Sequence, residues 1–374
     1  MIKLKFSKVK CPICDSNKFK RFNIKSRHSS CPTKIGIFNL KCFDVICKEC
    51  SFVYSNPEPT SSSLKKFYSN KFLNKSLDPD YDVKKQLNFF KRIAKKKQSI
   101  LEIGSSNDYL IKVLKKNGYN AHGSDLLTKT TIKNNKYDFI LLNHTLEHIP
   151  NPKNYLKKIK NKIKDQGRLI IEVPDLNQYE SDDTLLTAEH IHHFTDDTLK
   201  NLLVNSGYKF IGKNKEHNSR KYSVRMIFQK TNIKKTSIKL NQKLVQRTQK
   251  IFAKALILNE KRMNNFKNLS NKIKKLKKYD IYFWGCNSIF VNIYYFLNKY
   301  SKKNLKLVDE NFKNIKYLKI DKKNKILIQN PKNNLIKKSH LVKFIICAIS
   351  WKESIKKKIV KNGISKKNIL IPKI

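Results

Sequence analysis

The chain has 374 residues, with 81 Lys and Arg against 28 Asp and Glu, a formal net charge of +53. That length allows two or three domains, each with its own core. No apolar run reaches the length of a membrane-spanning helix, and "MIKLKFSKVK" is not followed by an apolar signal segment, so a cytoplasmic protein with reduced cysteines is expected.

The charge has two readings. One is an anionic partner such as RNA, DNA or an anionic membrane surface. The other is compositional bias. Only eight of the 81 basic residues are Arg, the residue favoured in phosphate and base readout, and Lys is scattered along the whole chain. Nucleic acid is therefore kept as a partner but not favoured.

Residues 1–60 are short-stranded and rich in turn residues, with "SNPEPTSSS" as the exit. "CPIC" (Cys11, Cys14) and "CKEC" (Cys47, Cys50) are two Cys-x-x-Cys pairs. Four thiolates with no open position suit a structural zinc ion. The 32 residues between the pairs exceed the usual spacing, and Cys31 or Cys42 can stand in as a ligand. Redox chemistry of one pair and buried thiols are the alternatives.

Residues 61–231 form the next unit. Two helical segments, "SLKKFYSNKF" and "VKKQLNFFKRIAKKK", come first. Strands are then expected at 99–104, 120–125, 137–145, 167–174, 208–214 and 222–230, with helices at 108–116, 152–164 and 196–205. Gly118 and Gly207 stand just past their helices as C′ glycines. This alternation predicts an α/β fold, a mostly parallel sheet with helices on both faces. Residues 232–278 contain neither Gly nor Pro. They predict a helical connector, with an apolar stripe at Leu244, Ile251, Ala255 and Leu258. Residues 279–374 predict a second, smaller α/β unit. There Gly285 and Asp309 loosely repeat the placing of Gly104 and Asp125.

The loop in "ILEIGSSNDYLIKVLKKNGYNAHGSD" has one glycine, Gly104, where dinucleotide sites have three. Asp108, near the start of the helix, would repel a pyrophosphate. S-adenosylmethionine (SAM) carries no phosphate but has a sulfonium and an ammonium, so an acidic, polar loop suits it. Asp125 can accept both ribose hydroxyls and Leu126 can pack on adenine. A scaffold of this shape with no cofactor is the alternative.

These motifs, in order, resemble the class I SAM-dependent methyltransferases. They are similar in particular to sugar C-methyltransferases with a zinc-binding N-terminal domain, a Rossmann-like methyltransferase core and a C-terminal Rossmann-like domain. "LEIGSSNDYL" resembles the family loop E-I-G-S-N-D-G-Y-L, with Asp108 at its last glycine. "LNHTLEHIPNP" resembles the segment after the fourth strand. "AEHIHHFT" resembles Y-H-E-H-x-S-Y-F, with Thr187 at the tyrosine. Only eleven residues separate Asp125 from Tyr137, short for the usual second helix and third strand.

The resemblance implies C-methylation beside a keto group of a nucleotide-linked sugar or related glycan precursor. His190 would then be the base that removes the α proton, with Glu189 orienting it. The cofactor residues would be Glu102, Gly104, Ser106, Asp108, Asp125, Leu126, Asn143 and His144, and Tyr68 would cover the substrate. Helix capping by "EHIHHFT", through Thr195, is the competing reading of that segment. His144 and His148 are spaced His-x-x-x-His without the adjacent Glu of a metalloprotease, so no catalytic metal is expected. An RNA methyltransferase and a non-catalytic glycan-binding scaffold are the rival functions.

Overall fold

The computed structural model describes residues 4–22, 27–70, 81–125, 135–181, 185–187, 189–231, 242–297, 302, 305–310, 317–320, 324–331 and 341–373. Seven short strands build the first unit: β1 (Phe6–Ser7), β2 (Phe19–Arg21), β3 (Arg27–Thr33), β4 (Gly36–Cys42), β5 (Asp44–Cys47), β6 (Val53–Ser55) and β7 (Glu58–Pro59). The long interval between the cysteine pairs holds the β3–β4 hairpin. That hairpin leaves the module and buries Ile37 in the core of the C-terminal unit. The extra residues thus serve another contact and do not loosen the cysteine cluster.

Helices α1 (Ser61–Asn70) and α2 (Val83–Ile93) precede the central sheet. Asp82 caps α2 by accepting the Lys85 N–H. There follow β8 (Ser99–Ile103), α3 (Tyr109–Lys116), β9 (Asn120–Ser124), β10 (Tyr137–Asn143), α4 (Pro152–Lys160) and β11 (Ile163–Pro174). Next come β12 (His192–His193), α5 (Asp196–Asn205), β13 (Tyr208–Lys213) and β14 (Ser223–Lys230). The sheet order is β13-β14-β11-β10-β8-β9, with β14 antiparallel to both neighbours and β9, β8, β10 and β11 parallel. Six expected strands are present. Helix α4 stops short of its expected end because Ile163 already pairs with Tyr137, so β11 starts early, through an irregular register.

Alternating side chains of these strands fill two cores. On one face Leu101, Ile103, Leu142 and Ile171 meet Leu156 of α4 and Leu199 and Leu202 of α5. The same core takes in Cys11, Cys47 and Phe52, so the cysteine module shares its apolar interior with the sheet. On the other face Ile100 and Leu141 meet Phe89 and Phe90 of α2 and Leu110 and Leu114 of α3.

Helix α6 (Gln242–Lys274) runs as one rod. Its buried stripe is Phe252, Ala255, Leu256, Phe266 and Ile273. This corrects the expected stripe. Ala255 belongs to it, whereas Leu244, Ile251 and Leu258 are half-buried along its flank, about a residue out of phase. The helix packs first on the cysteine module and the segment after β11, then on the C-terminal unit.

That unit comprises β15 (Asp280–Trp284), α7 (Ser288–Phe296), β16 (Leu305–Val308), β17 (Tyr317–Lys319), β18 (Lys325–Gln329), β19 (Val342–Ile346), α8 (Lys352–Lys361) and β20 (Ile369–Leu370). Its sheet order is β17-β18-β16-β15-β19-β20, parallel except for β17. A carboxylate oxygen of Asp309 accepts the Cys286 N–H at 2.7 Å, so one side of this acid is used to hold the loop after β15. No described helix is long and apolar enough to cross a membrane.

Candidate active site

The carboxyl ends of β8, β9, β10 and β11 share one edge of the sheet, where ligands of open α/β folds bind. The loop after β8 is tied to the end of β9: the N–H groups of Gly104 and Ser105 donate to the Ser124 carbonyl at 2.7 and 3.3 Å. Gly104 has φ +83°, and a Cβ there would collide with the Thr145 side chain. The loop therefore passes directly over the end of β10, which only glycine permits. Ser106 and Asp108 both adopt left-handed backbone conformations, φ 52° and 56°. They reproduce the turn that glycines make elsewhere, at the modest cost such residues pay.

Asp108 occupies the N-cap position of α3 but makes no side-chain cap bond. Its carboxylate turns toward β9, into space left by Gly123, where a Cβ would strike it. Glu102 lies nearby on β8. Burial, then the charge of Asp108, pushes its carboxyl up to about 8. Two acids thus crowd beneath the loop, with one held neutral near pH 7. A cation arriving there would relieve both. Leu126 lies outside the described residues, while Asp125 directly follows β9.

At the end of β10, Asn143 donates to the Tyr81 hydroxyl at 3.0 Å and accepts from Ser219 at 3.1 Å. Burial, then Glu102 and Glu172, raises the Tyr81 hydroxyl well above its ordinary range. His144 has φ 47°, and its Nε2 meets Ser223 Oγ at 3.1 Å and Glu172 Oε1 at 3.3 Å. Burial alone would lower this imidazole, but Glu147 and Glu172 outweigh it and hold it above its ordinary value.

Glu172 is the hub of the network. It accepts the Ser219 N–H and hydroxyl, each at 2.7 Å, and pairs with the fully buried Arg225. Arg225 also donates to Gln86 and lies 4.5 Å above the Phe89 ring. Despite burial, Arg225 first and then His144 hold the Glu172 carboxyl down to about 2.

The other half of the edge is made by two loops. After β10, a short turn carries Glu147 and His148. After β11, Glu189 and His190 are held by main-chain bonds on both sides. The Ile191 N–H donates to the Glu147 carbonyl at 3.0 Å, and the Ile191 carbonyl accepts from Ser55 at 2.9 Å. His192 and His193 then pair antiparallel with Tyr54 and Val53, adding β12 to the cysteine module's sheet.

His192 and His193 are fully buried, 3.6 Å from Glu58 and Asp44 respectively, so they hold the loop and do not face a substrate. Thr195 caps α5 through a reciprocal box with Thr198, so the capping reading of the segment holds for Thr195. The imidazole of His190 donates from Nδ1 to the Leu185 carbonyl at 2.8 Å, and that of His148 from Nδ1 to the Glu189 carbonyl at 2.9 Å. A carbonyl only accepts, so Nδ1 carries a proton in each ring and Nε2 is the nitrogen on the Glu147 side. The two rings lie 4.9 Å apart, and each Nε2 is 3.9 Å from Glu147 Oε1.

Tyr68 of α1 closes the group, its ring 5.9 Å from that of His148. Burial, then Glu189, Glu147, Cys31 and Asp125, raises its hydroxyl well above the usual range. Cys31 Sγ is 3.9 Å from Glu189 Oε1.

In the module, Cys11 and Cys50 Sγ are 3.4 Å apart, Cys14 and Cys47 3.5 Å, and all four lie within 4.8 Å of one another. Bonds of about 2.3 Å to one tetrahedral ion place sulfurs roughly 3.8 Å apart, so the set fits such an ion. Cys31 and Cys42 lie elsewhere, packed with Phe38 and Phe67, and do not stand in for any of the four.

Sequence reasoning missed Tyr81, Gln86, Glu172, Ser219 and Arg225. Glu172 and Arg225 carried a signal, each a charged residue inside an apolar strand. Pairing His148 with His144 by spacing overlooked His190, whose Nε2 shares Glu147 with it.

Residues 76–212 match the family model described as a methyltransferase domain. No curated protein matches the chain. Solved structures similar to it include 1,6-didemethyltoxoflavin-N1-methyltransferase of Burkholderia thailandensis with bound S-adenosylhomocysteine, 14% identical, covering 40% of this chain and 77% of that one at a TM-score of 0.32. The CcbJ methyltransferase of Streptomyces caelestis is 10% identical, covering 41% and 91% at 0.34. Magnesium protoporphyrin IX methyltransferase of Synechocystis PCC 6803 is 11% identical, covering 40% and 82% at 0.32. Residues 76–212 of the central unit are therefore a methyltransferase domain.

Replacing Arg225 by Ala should cost about 3–5 kcal/mol, since it strands a buried carboxylate. A urea melt at neutral pH reads this. The Glu172 carboxyl lies below its ordinary 4.5, so its contribution is present above that pH and fades as pH falls toward about 2. The gap between wild type and variant should shrink in the same window.

Proposed function

We propose that the enzyme methylates a carbon beside a keto group of a nucleotide-linked sugar or related glycan precursor. The observation that supports this reading is the His190 ring, oriented by its Nδ1–H bond to the Leu185 carbonyl so that Nε2 is the nitrogen left for proton transfer. In this reading Nε2 of His190 takes the α proton, and the substrate carbon becomes an enolate carbon. When bound, SAM supplies the sulfonium methyl group that this carbon attacks.

The remaining roles follow the edge of the sheet. Glu102 and Asp108 meet the cofactor's ammonium, Gly104 and Ser106 give it backbone room, and Asp125 holds its ribose. Asn143 and His144 floor the site, and Leu126 contributes to the adenine side. Tyr68 shields the reacting carbon from water, and Glu189 anchors the His148 ring through its carbonyl. The cysteine module holds structural zinc and fixes the His190 loop through β12. Residues 1–60, 61–231, 232–278 and 279–374 are the four parts of this arrangement. The last of them, Rossmann-like in form, completes the substrate side through the β3–β4 hairpin.

Three outcomes are expected. First, SAM should bind the pure protein with release of close to one proton near pH 7, because the ammonium ionises Glu102. Calorimetry in buffers of different ionisation enthalpy measures this, and Glu102→Gln should abolish the release. No binding at millimolar SAM would defeat the cofactor assignment. Second, His190→Ala should lower turnover on a panel of nucleotide-linked keto sugars by about 10²–10⁴-fold and leave SAM affinity unchanged. Unchanged turnover would remove His190 from the mechanism. Third, Cys47→Ser should lose one equivalent of zinc by elemental analysis. It should lower turnover more than SAM affinity, since it loosens β5 and with it the loop held through β6.

A further inference from the structure

Glu147 is almost fully buried, 1% exposed, and among the described residues neither of its carboxylate oxygens has a hydrogen-bond donor. A buried carboxylate without such a donor is costly. What faces it is unusual. Nε2 of His148 and Nε2 of His190 each lie 3.9 Å from Oε1, while each ring donates its Nδ1–H to a main-chain carbonyl. The three ligand atoms lie within 4.8 Å of one another, the spread of a set that one ion can gather.

We propose that Glu147, His148 and His190 hold a first-row divalent transition-metal ion. The donor set of two imidazole nitrogens and one carboxylate oxygen is one that zinc and iron(II) accept. Magnesium and calcium prefer all-oxygen sites. The outer bonds are already in place, since the carbonyls of Glu189 and Leu185 orient the two rings as second partners do in metal sites. On a tetrahedral ion such atoms sit about 3.3 Å apart, so the His–Glu pairs need close by only roughly half an ångström. His144 Nδ1 lies 3.6 Å from the same Glu147 oxygen, but its ring is engaged with Glu172 and Ser223 on the other side. The side chains of His148 and His190 keep 20% and 12% exposure, so an ion has a route in and a coordination position toward solvent.

The site is distinct from the four-cysteine cluster and does not depend on the substrate proposed above. It does bear on that mechanism. An ion on Nε2 of His190 occupies the lone pair that the proposed base uses, so the ion-loaded and base-active forms exclude each other.

The test uses the full chain, first given one equivalent of zinc to fill the cysteines and then titrated with cobalt(II). A second equivalent should bind with visible d–d absorption and without the thiolate charge-transfer band. Glu147→Gln, His148→Asn and His190→Ala should each weaken it at least tenfold. His148→Asn keeps a donor for the Glu189 carbonyl and removes only the second nitrogen, which guards against misfolding as the cause. Absence of a second equivalent in the wild type overturns the proposal. So does cobalt that shows only the thiolate band, or a second equivalent that persists in His148→Asn and Glu147→Gln. None of these results touches SAM binding, so failure here and failure of the methyl-transfer reading are separable.

Discussion

Two residues of β-pairing carry much of this molecule's organisation. His192 and His193 join the module sheet beside Val53 and Tyr54. One residue earlier, Ile191 bonds to Ser55 on one side and to Glu147 on the other. The loop bearing His190 therefore cannot move independently of the cysteine module or of the turn after β10. The pairing also takes two imidazoles out of water, which requires Glu58 and Asp44 to be buried with them. Main-chain bonds fix position to within a fraction of an ångström, which loops that position reactive groups need.

The same edge of the sheet concentrates negative charge on a strongly positive chain. Glu102, Asp108, Asp125, Glu147, Glu172 and Glu189 all lie around it. Most of the 81 basic side chains are on the outside, where water screens them. Buried charges are screened far less, so the local field at the edge is set by these acids and by Arg225, not by the net charge. A cationic cofactor is favoured there even though the whole protein attracts anions. The formal charge and the chemistry of the site are nearly independent quantities.

Much of the architecture was legible because it rests on local rules. Short apolar runs alternating with helical segments marked the six strands, glycines marked the helix ends at Gly118 and Gly207, and paired cysteines marked the module. What was not legible depends on distance in space. His148 and His190 are far apart in sequence, and the Ile191–Glu147 main-chain bond and the His148–Glu189 bond bring them together. The turn at Ser106 and Asp108 was hidden because non-glycine residues there take a backbone shape the sequence pattern assigns to glycine. The α6 stripe was misphased because a long helix with two successive partners need not bury one continuous line of its strongest hydrophobes. Arg225 finds its counter-charge in Glu172, more than fifty residues earlier, a pairing that no local pattern carries.

The β3–β4 hairpin gives the molecule a mechanical linkage. At its tip end Ile37 is sunk in the C-terminal core, and β3 packs against α7. On the same ribbon Cys31 reaches Glu189 beside the His190 loop. A twisted two-stranded ribbon resists bending within its length, so it transmits displacement as a lever does. A shift of the C-terminal unit, such as one accompanying capture of a large substrate, would be delivered to the reactive loop through that ribbon. The hairpin thus puts the C-terminal core, through Ile37, and the loop residue Glu189, through Cys31, on one ribbon.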